Sequence, residues 1–132
     1  MTTRIVNAQW RTGFQVDVTA GRFTQRIDEP PSVGGDDTGP QPTDYFLASV
    51  ASCFVLALVY SARKRDVALP AVEVAVTGTY DGPRFSDLAI EVVTPLPDSD
   101  AERLMAAAER VCYVTNTLRK PPQITVSHVS RQ

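Results

Sequence analysis

The clearest pattern in the chain is an uncharged run from Tyr45 to Ala62, preceded by Pro42-Thr43-Asp44 and followed by Arg63-Lys64-Arg65. A proline in the first helical turn gives up no hydrogen bond that the helix needs, and an acid at the start with bases at the end complements the helix dipole. The run therefore predicts one helix from about 43 to 64, apolar on every side. Elsewhere the period is two. Residues 4–10 and 14–18 (FQVDV) alternate apolar and polar about Thr12-Gly13, which predicts a hairpin, with a further strand at about 22–28. VEVAVTGTY (72–80) and DLAIEVVT (87–94) alternate in the same way across Gly82-Pro83 and predict an antiparallel pair. The stretch EPPSVGGDDTGPQP (29–42) has no period and reads as a loop. Ser99 and Glu102 make an S-x-x-E cap ahead of Leu104, Met105 and Ala108, which predicts a second helix ending near 109–112; QITVSHV (123–129) reads as a last strand. Strands and helices in blocks, without regular βα alternation, give an α+β fold, expected as a single domain over 1–132.

Composition narrows this picture. With 132 residues, 43% hydrophobic and 21% charged, the chain can bury a core, so disorder is not the default. A net charge of −2 and no basic block beyond Arg63-Lys64-Arg65 speak against a nucleic-acid partner. The run from Tyr45 to Ala62 is long enough to span a bilayer, but Ser49, Ser52, Cys53 and Ser61 interrupt it and its flanks read as mixed α/β. A core helix is expected, and no membrane. The start, MTTRIVNAQWRTGFQV, lacks an apolar secretory segment, so a cytoplasmic location is expected.

One histidine and two cysteines are too few for a usual structural zinc site, so no metal is expected, and no motif calls for a cofactor. His128 alternates with Ile124 and Val126 and reads as structural. Gly34, Gly35 and Gly39 do not follow a strand into a phosphate-binding pattern, so they read as turn formers. The cysteines carry more chemistry. Cys53 lies deep in the long helix and Cys112 at the end of the second. In a reducing compartment such thiols are catalytic, metal-binding or inert, and the residues alone leave open a redox pair or plain packing.

The stretch GGDDTGPQPTDYFLASVASCF, followed much later by Cys112-Tyr-Val-Thr-Asn-Thr-Leu118, resembles the two-part signature of the OsmC/Ohr family, the osmotically inducible and organic hydroperoxide resistance proteins. The resemblance runs from about residue 4 to 129. It implies antiparallel sheets packed on a long central helix in an intertwined homodimer, and a thiol peroxidase of oxidative stress defence. Cys53 would attack an organic hydroperoxide, or hydrogen peroxide, and become a sulfenic acid. Cys112 would close a disulfide that an external dithiol reduces. Phe14, Phe46, Phe54 and Tyr113 would line the apolar site. An arginine of the N-terminal strands, Arg11 by strand order with Arg22 and Arg26 as alternatives, would keep Cys53 ionised. The acid expected to hold that arginine is a glutamate at the position of Thr43. Asp44, one residue and about 100° around the helix from it, instead resembles the acid of the OsmC-like branch. That departure keeps a second function in view: a non-catalytic dimer that binds a small apolar ligand or senses oxidants through a reversible disulfide.

Overall fold

The computed structural model describes residues 2–131 and places three strands first: β1 (Asn7–Thr12), β2 (Gln15–Ala20) and β3 (Phe23–Ile27), joined in that order as an antiparallel sheet. The β1–β2 register slips between Trp10 and Thr12, so Arg11 stands at a bulge. A short 3-10 turn (Pro31–Val33) interrupts the expected loop, and the long helix α1 (Pro42–Lys64) follows. Next come β4 (Glu73–Asp81) and β5 (Arg84–Val93), paired antiparallel across Gly82-Pro83, and then two helices, α2 (Asp98–Val111) and α3 (Tyr113–Arg119). The fold is α+β. Two compact units are present, Met1–Ala48 and Ser49–Gln132, and the boundary falls inside α1.

In the second unit, Phe54, Ala57, Leu58 and Ala62 of α1 are buried with Leu104 and Ala108 of α2 and with Cys112. Val74, Ile90 and Val92 of the β4–β5 ribbon close over them. The alternation in these strands is thus the pattern of one covered face, and the 54/57/58/62 spacing is one stripe of a helix. The other side of α1 is not covered: Leu56 is 67% and Tyr60 53% exposed.

In the first unit the loop after β3 is held by one acid. Asp28 is fully buried; it accepts hydrogen bonds from the Thr38 hydroxyl (2.6 Å), the Thr38 N–H (3.0 Å) and the Glu29 N–H (2.7 Å). The Asp28 N–H in turn donates to the Pro40 carbonyl at 3.1 Å. This closure brings backbone against backbone. A Cβ on Gly35 would stand 1.9 Å from the Glu29 carbonyl oxygen, and one on Gly39 would stand 2.2 Å from that of Arg26. Only glycine fits at either point.

Three expectations change. No strand forms in 123–129; Ile124, Val126 and Val129 are 83%, 94% and 75% exposed. The segment has the alternation of a strand, but its ladder needs a neighbour, and none pairs with it among the described residues. The capping box at Ser99 is not the start of α2, whose N-cap is Pro97 with no side-chain cap bond. Helix α3 was not expected at all, because CYVTNTLR has no apolar period long enough to announce seven residues of helix.

Candidate functional site

The fold brings the two cysteines together. Cys53 sits on α1 one turn before Ala57, half-buried beside the core, and Cys112 is the single residue between α2 and α3. Both are free thiols, and the Cys53 side chain lies near enough to Cys112 to favour its thiolate. They differ in access. Cys112 is wholly buried, whereas Cys53 opens onto a cavity of about 890 Å³.

The surroundings of Cys112 act in opposite directions. Burial pushes its thiol pKa up, because the thiolate loses water. Against that stand the Thr115 hydroxyl, the Thr115 N–H, the Cys53 thiol and the Val114 N–H, and together they leave the pKa below that of an ordinary thiol. Cys112 makes no regular side-chain cap bond to α3. The pull of these N–H groups on the sulfur is therefore electrostatic attraction at close range rather than a well-formed cap. Thr115 is itself 7% exposed, and its hydroxyl also faces the Cys112 carbonyl oxygen at 3.5 Å.

The cavity wall joins α1 to the end of α2 and to α3. Leu56, Ala57 and Val111 make it apolar, and Tyr60 and Tyr113 add rings. Arg110, Asn116, Thr117 and Lys120 supply its polar side. Asn116 ties the α2–α3 corner by donating to the Arg110 carbonyl at 3.2 Å. Of the four aromatics expected at the site, Tyr113 lines this cavity and is 84% exposed. Phe54 points into the core at 3% exposure instead, since it lies on the buried stripe of α1. Phe14 and Phe46 belong to the first unit; Phe14 packs beside Gly34, and Phe46 is at the surface of the first turns of α1.

The charged residues expected at the site have partners in the first unit. Arg11 Nε and Arg26 Nε each donate to Asp17, both at 2.7 Å, and Arg26 also donates to the Gln15 side-chain oxygen at 2.8 Å. Hydrogen bonds from Arg26 and then Arg11 hold the Asp17 carboxyl below its usual pKa. Arg22 lies over the Phe23 ring at 5.0 Å. Asp44 accepts from the Gln41 N–H at 2.9 Å and so caps the start of α1. The acid that organises the arginines is therefore Asp17, which sequence reading passed over. Its signal was present: in FQVDV it is the one charge on β2, and it faces Arg26 directly across the sheet. Arg110 and Lys120 were also missed, because nothing local marks a surface cation as belonging to a cavity. Among the described residues no group of three or more His, Cys, Asp or Glu could hold a metal ion.

A family model described as OsmC-like protein matches residues 34–127, which includes both cysteines. No curated protein matches the chain significantly. Among solved structures, the chain is similar to an organic hydroperoxide resistance protein OsmC from Legionella pneumophila, at 26% identity and TM-score 0.67, with 90% of each chain covered. It is also similar to a putative organic hydroperoxide resistance protein from Vibrio cholerae with captopril in one of its active sites, at 26% identity and TM-score 0.65, covering 92% of this chain and 88% of that one. An OsmC-like protein from Mycoplasma pneumoniae shares the fold at 16% identity and TM-score 0.75, covering 91% of this chain and 89% of that one. The matched span, more than half of the chain, decides the assignment: this chain belongs to the OsmC-like protein family.

Proposed function

We propose that the protein is a thiol-dependent peroxidase that reduces organic hydroperoxides, with Cys53 as the attacking and Cys112 as the resolving sulfur. The observation that carries this reading is the proximity of two thiols of unequal access, one lining an open cavity and one buried. Only Cys53 is open to a substrate; only Cys112 is in place to meet its product. Family membership and the hydroperoxide-resistance neighbours support a stress-related role.

The steps follow from the proximity of the two sulfurs. In its thiolate form, which its neighbours favour, Cys112 takes the proton of the nearby Cys53 thiol. The Cys53 thiolate attacks the terminal oxygen of the hydroperoxide and the O–O bond breaks. Sulfur is oxidised to a sulfenic acid, and the leaving alkoxide takes the proton from Cys112 to become the alcohol. The Cys112 thiolate, restored, attacks the Cys53 sulfur; the S–O bond breaks, a disulfide forms, and the leaving hydroxide takes a proton from solvent in the open cavity to become water. An external dithiol then returns both thiols. Burial of Cys112 suits this order, because a sealed thiolate is guarded from direct oxidation. On this reading the protein works as a homodimer in the cytoplasm.

The test is consumption of cumene hydroperoxide with a dithiol reductant. Cys53→Ser is expected to abolish it, and peroxide-treated wild type is expected to yield a Cys53–Cys112 disulfide in peptide mass spectrometry. Turnover unchanged in Cys53→Ser would end the proposal. The use of Asp44 as a helix cap favours the second reading, a non-catalytic dimer with a reversible disulfide. That reading expects the disulfide without sustained turnover.

A further inference from the structure

Val111 and Tyr113, the residues on either side of Cys112, line the cavity onto which Cys53 opens. Cys53 also packs against the buried cluster that contains Cys112, and both thiols are free. Two soft ligands thus lie side by side with few others about them. A structural zinc ion takes four ligands, and among the described residues no group of three or more His, Cys, Asp or Glu could hold a metal ion. Cu(I) differs from zinc in this respect. It is a soft ion that prefers thiolates, and a line of two sulfurs satisfies it without a third ligand. Two thiolates about one Cu(I) leave a single negative charge. Arg110 and Lys120 stand on the cavity wall, whose described lining includes no acidic side chain, and they offset that charge.

We propose that Cys53 and Cys112 form a two-coordinate site for Cu(I). Two S–Cu bonds form, the thiol protons go to solvent, and neither copper nor sulfur changes its oxidation state. Cys53, which opens onto the cavity, takes the ion first by exchange from a soft carrier such as an incoming thiolate. The buried Cys112 then displaces the carrier, which leaves with its electron pair and takes up a proton. The inference shares its cysteines with the peroxidase reading but rests on it for one consequence only: a copper ion held by both sulfurs stops turnover until a chelator removes it.

Anaerobic titration of the reduced protein with Cu(I), in competition with the chromogenic chelator bicinchoninate, tests the site without turnover. One ion per chain is expected, with two sulfur neighbours in the copper X-ray absorption spectrum. Excess Zn(II) is expected to leave the ion in place. Cys53→Ser changes a half-buried side chain, and circular dichroism checks that the variant folds. It is expected to lower Cu(I) affinity at least about a hundredfold, beyond the loss seen when an outer-shell partner of a metal ligand is removed. Cys112→Ser is expected to do the same. Three results each overturn the proposal: bicinchoninate keeps all the copper, one ion is shared by two chains, or folded Cys53→Ser retains the wild-type affinity. The two readings fail separately. Copper binding without hydroperoxide consumption would remove the peroxidase reading and leave the metal site standing, and consumption without copper binding would do the reverse.

Discussion

Cys112 is acidified by what it touches, and Thr115 is the neighbour that can be changed with least disturbance. Replacing Thr115 by valine keeps the shape and removes the hydroxyl, while the two N–H groups remain. In a Cys53→Ser background, where Cys112 is the one thiol left, the Thr115→Val change is expected to move the rise of thiolate ultraviolet absorbance to higher pH. An unmoved titration curve would show that the hydroxyl does not act on the sulfur. In the otherwise wild-type protein the same change is expected to slow disulfide closure, since the thiolate is the species that attacks. Asp17 sets a second residue-scale contrast. Resemblance puts the acid that serves an arginine at the helix start, but here Asp44 is committed to the Gln41 N–H and a strand carboxylate holds Arg11 and Arg26.

At the scale of elements, the loop from Asp28 to Pro40 depends on a buried carboxylate and two close backbone approaches. The Thr38 hydroxyl, then the N–H groups of Thr38, Glu29 and Asp36, outweigh burial and hold the Asp28 pKa at about 2 from an ordinary 3.8. A depressed acid pKa adds stability that is complete above the unfolded value of 3.8 and is lost as pH falls through about 2. Asp28→Asn is therefore expected to lower stability near neutral pH and to flatten its decline across that acid window, as read by denaturant unfolding at several pH values. A variant with the wild-type acid slope would refute the linkage. Gly35→Ala must push its Cβ away from the Glu29 carbonyl and is expected to cost about 1–3 kcal/mol or more, the scale of overpacking. Denaturant midpoints measure it, and a neutral result would mean that the loop relaxes freely.

At the scale of the whole molecule, several apolar side chains lack cover. Leu56 and Tyr60 on α1 are open, and so are Ile124, Val126 and Val129 in a segment with strand alternation and no ladder. In the homodimer proposed above a second chain would supply both cover and edge, and the expected mass in sedimentation equilibrium is that of two chains. Leu56→Glu is expected to shift that equilibrium toward one chain. A wild-type protein that stays monomeric at high concentration would remove the dimer from the proposed function. Within the second unit, Leu58 is 1% exposed at the centre of the core, and Leu58→Ala is expected to cost about 2–5 kcal/mol by cavity formation.

By itself the sequence determined the elements whose cause is local: the span of α1, from its proline start and basic end; the two hairpin regions, from alternation and turn residues; and the glycine loop. It also marked Cys53 and Cys112 as the pair to examine, through their motifs. It did not determine α3, whose seven residues lack a period, or the fate of 123–129, because a strand exists only when an edge is present to pair with it. Nor could it assign Phe54 to the core, Asp17 to the arginines, or Arg110 and Lys120 to the cavity wall. Those are facts of distance between residues remote in sequence, and local propensity carries no information about them. Tertiary packing alone decided that one sulfur faces open space and the other is sealed against it, and that difference in access gives the two thiols different chemistry.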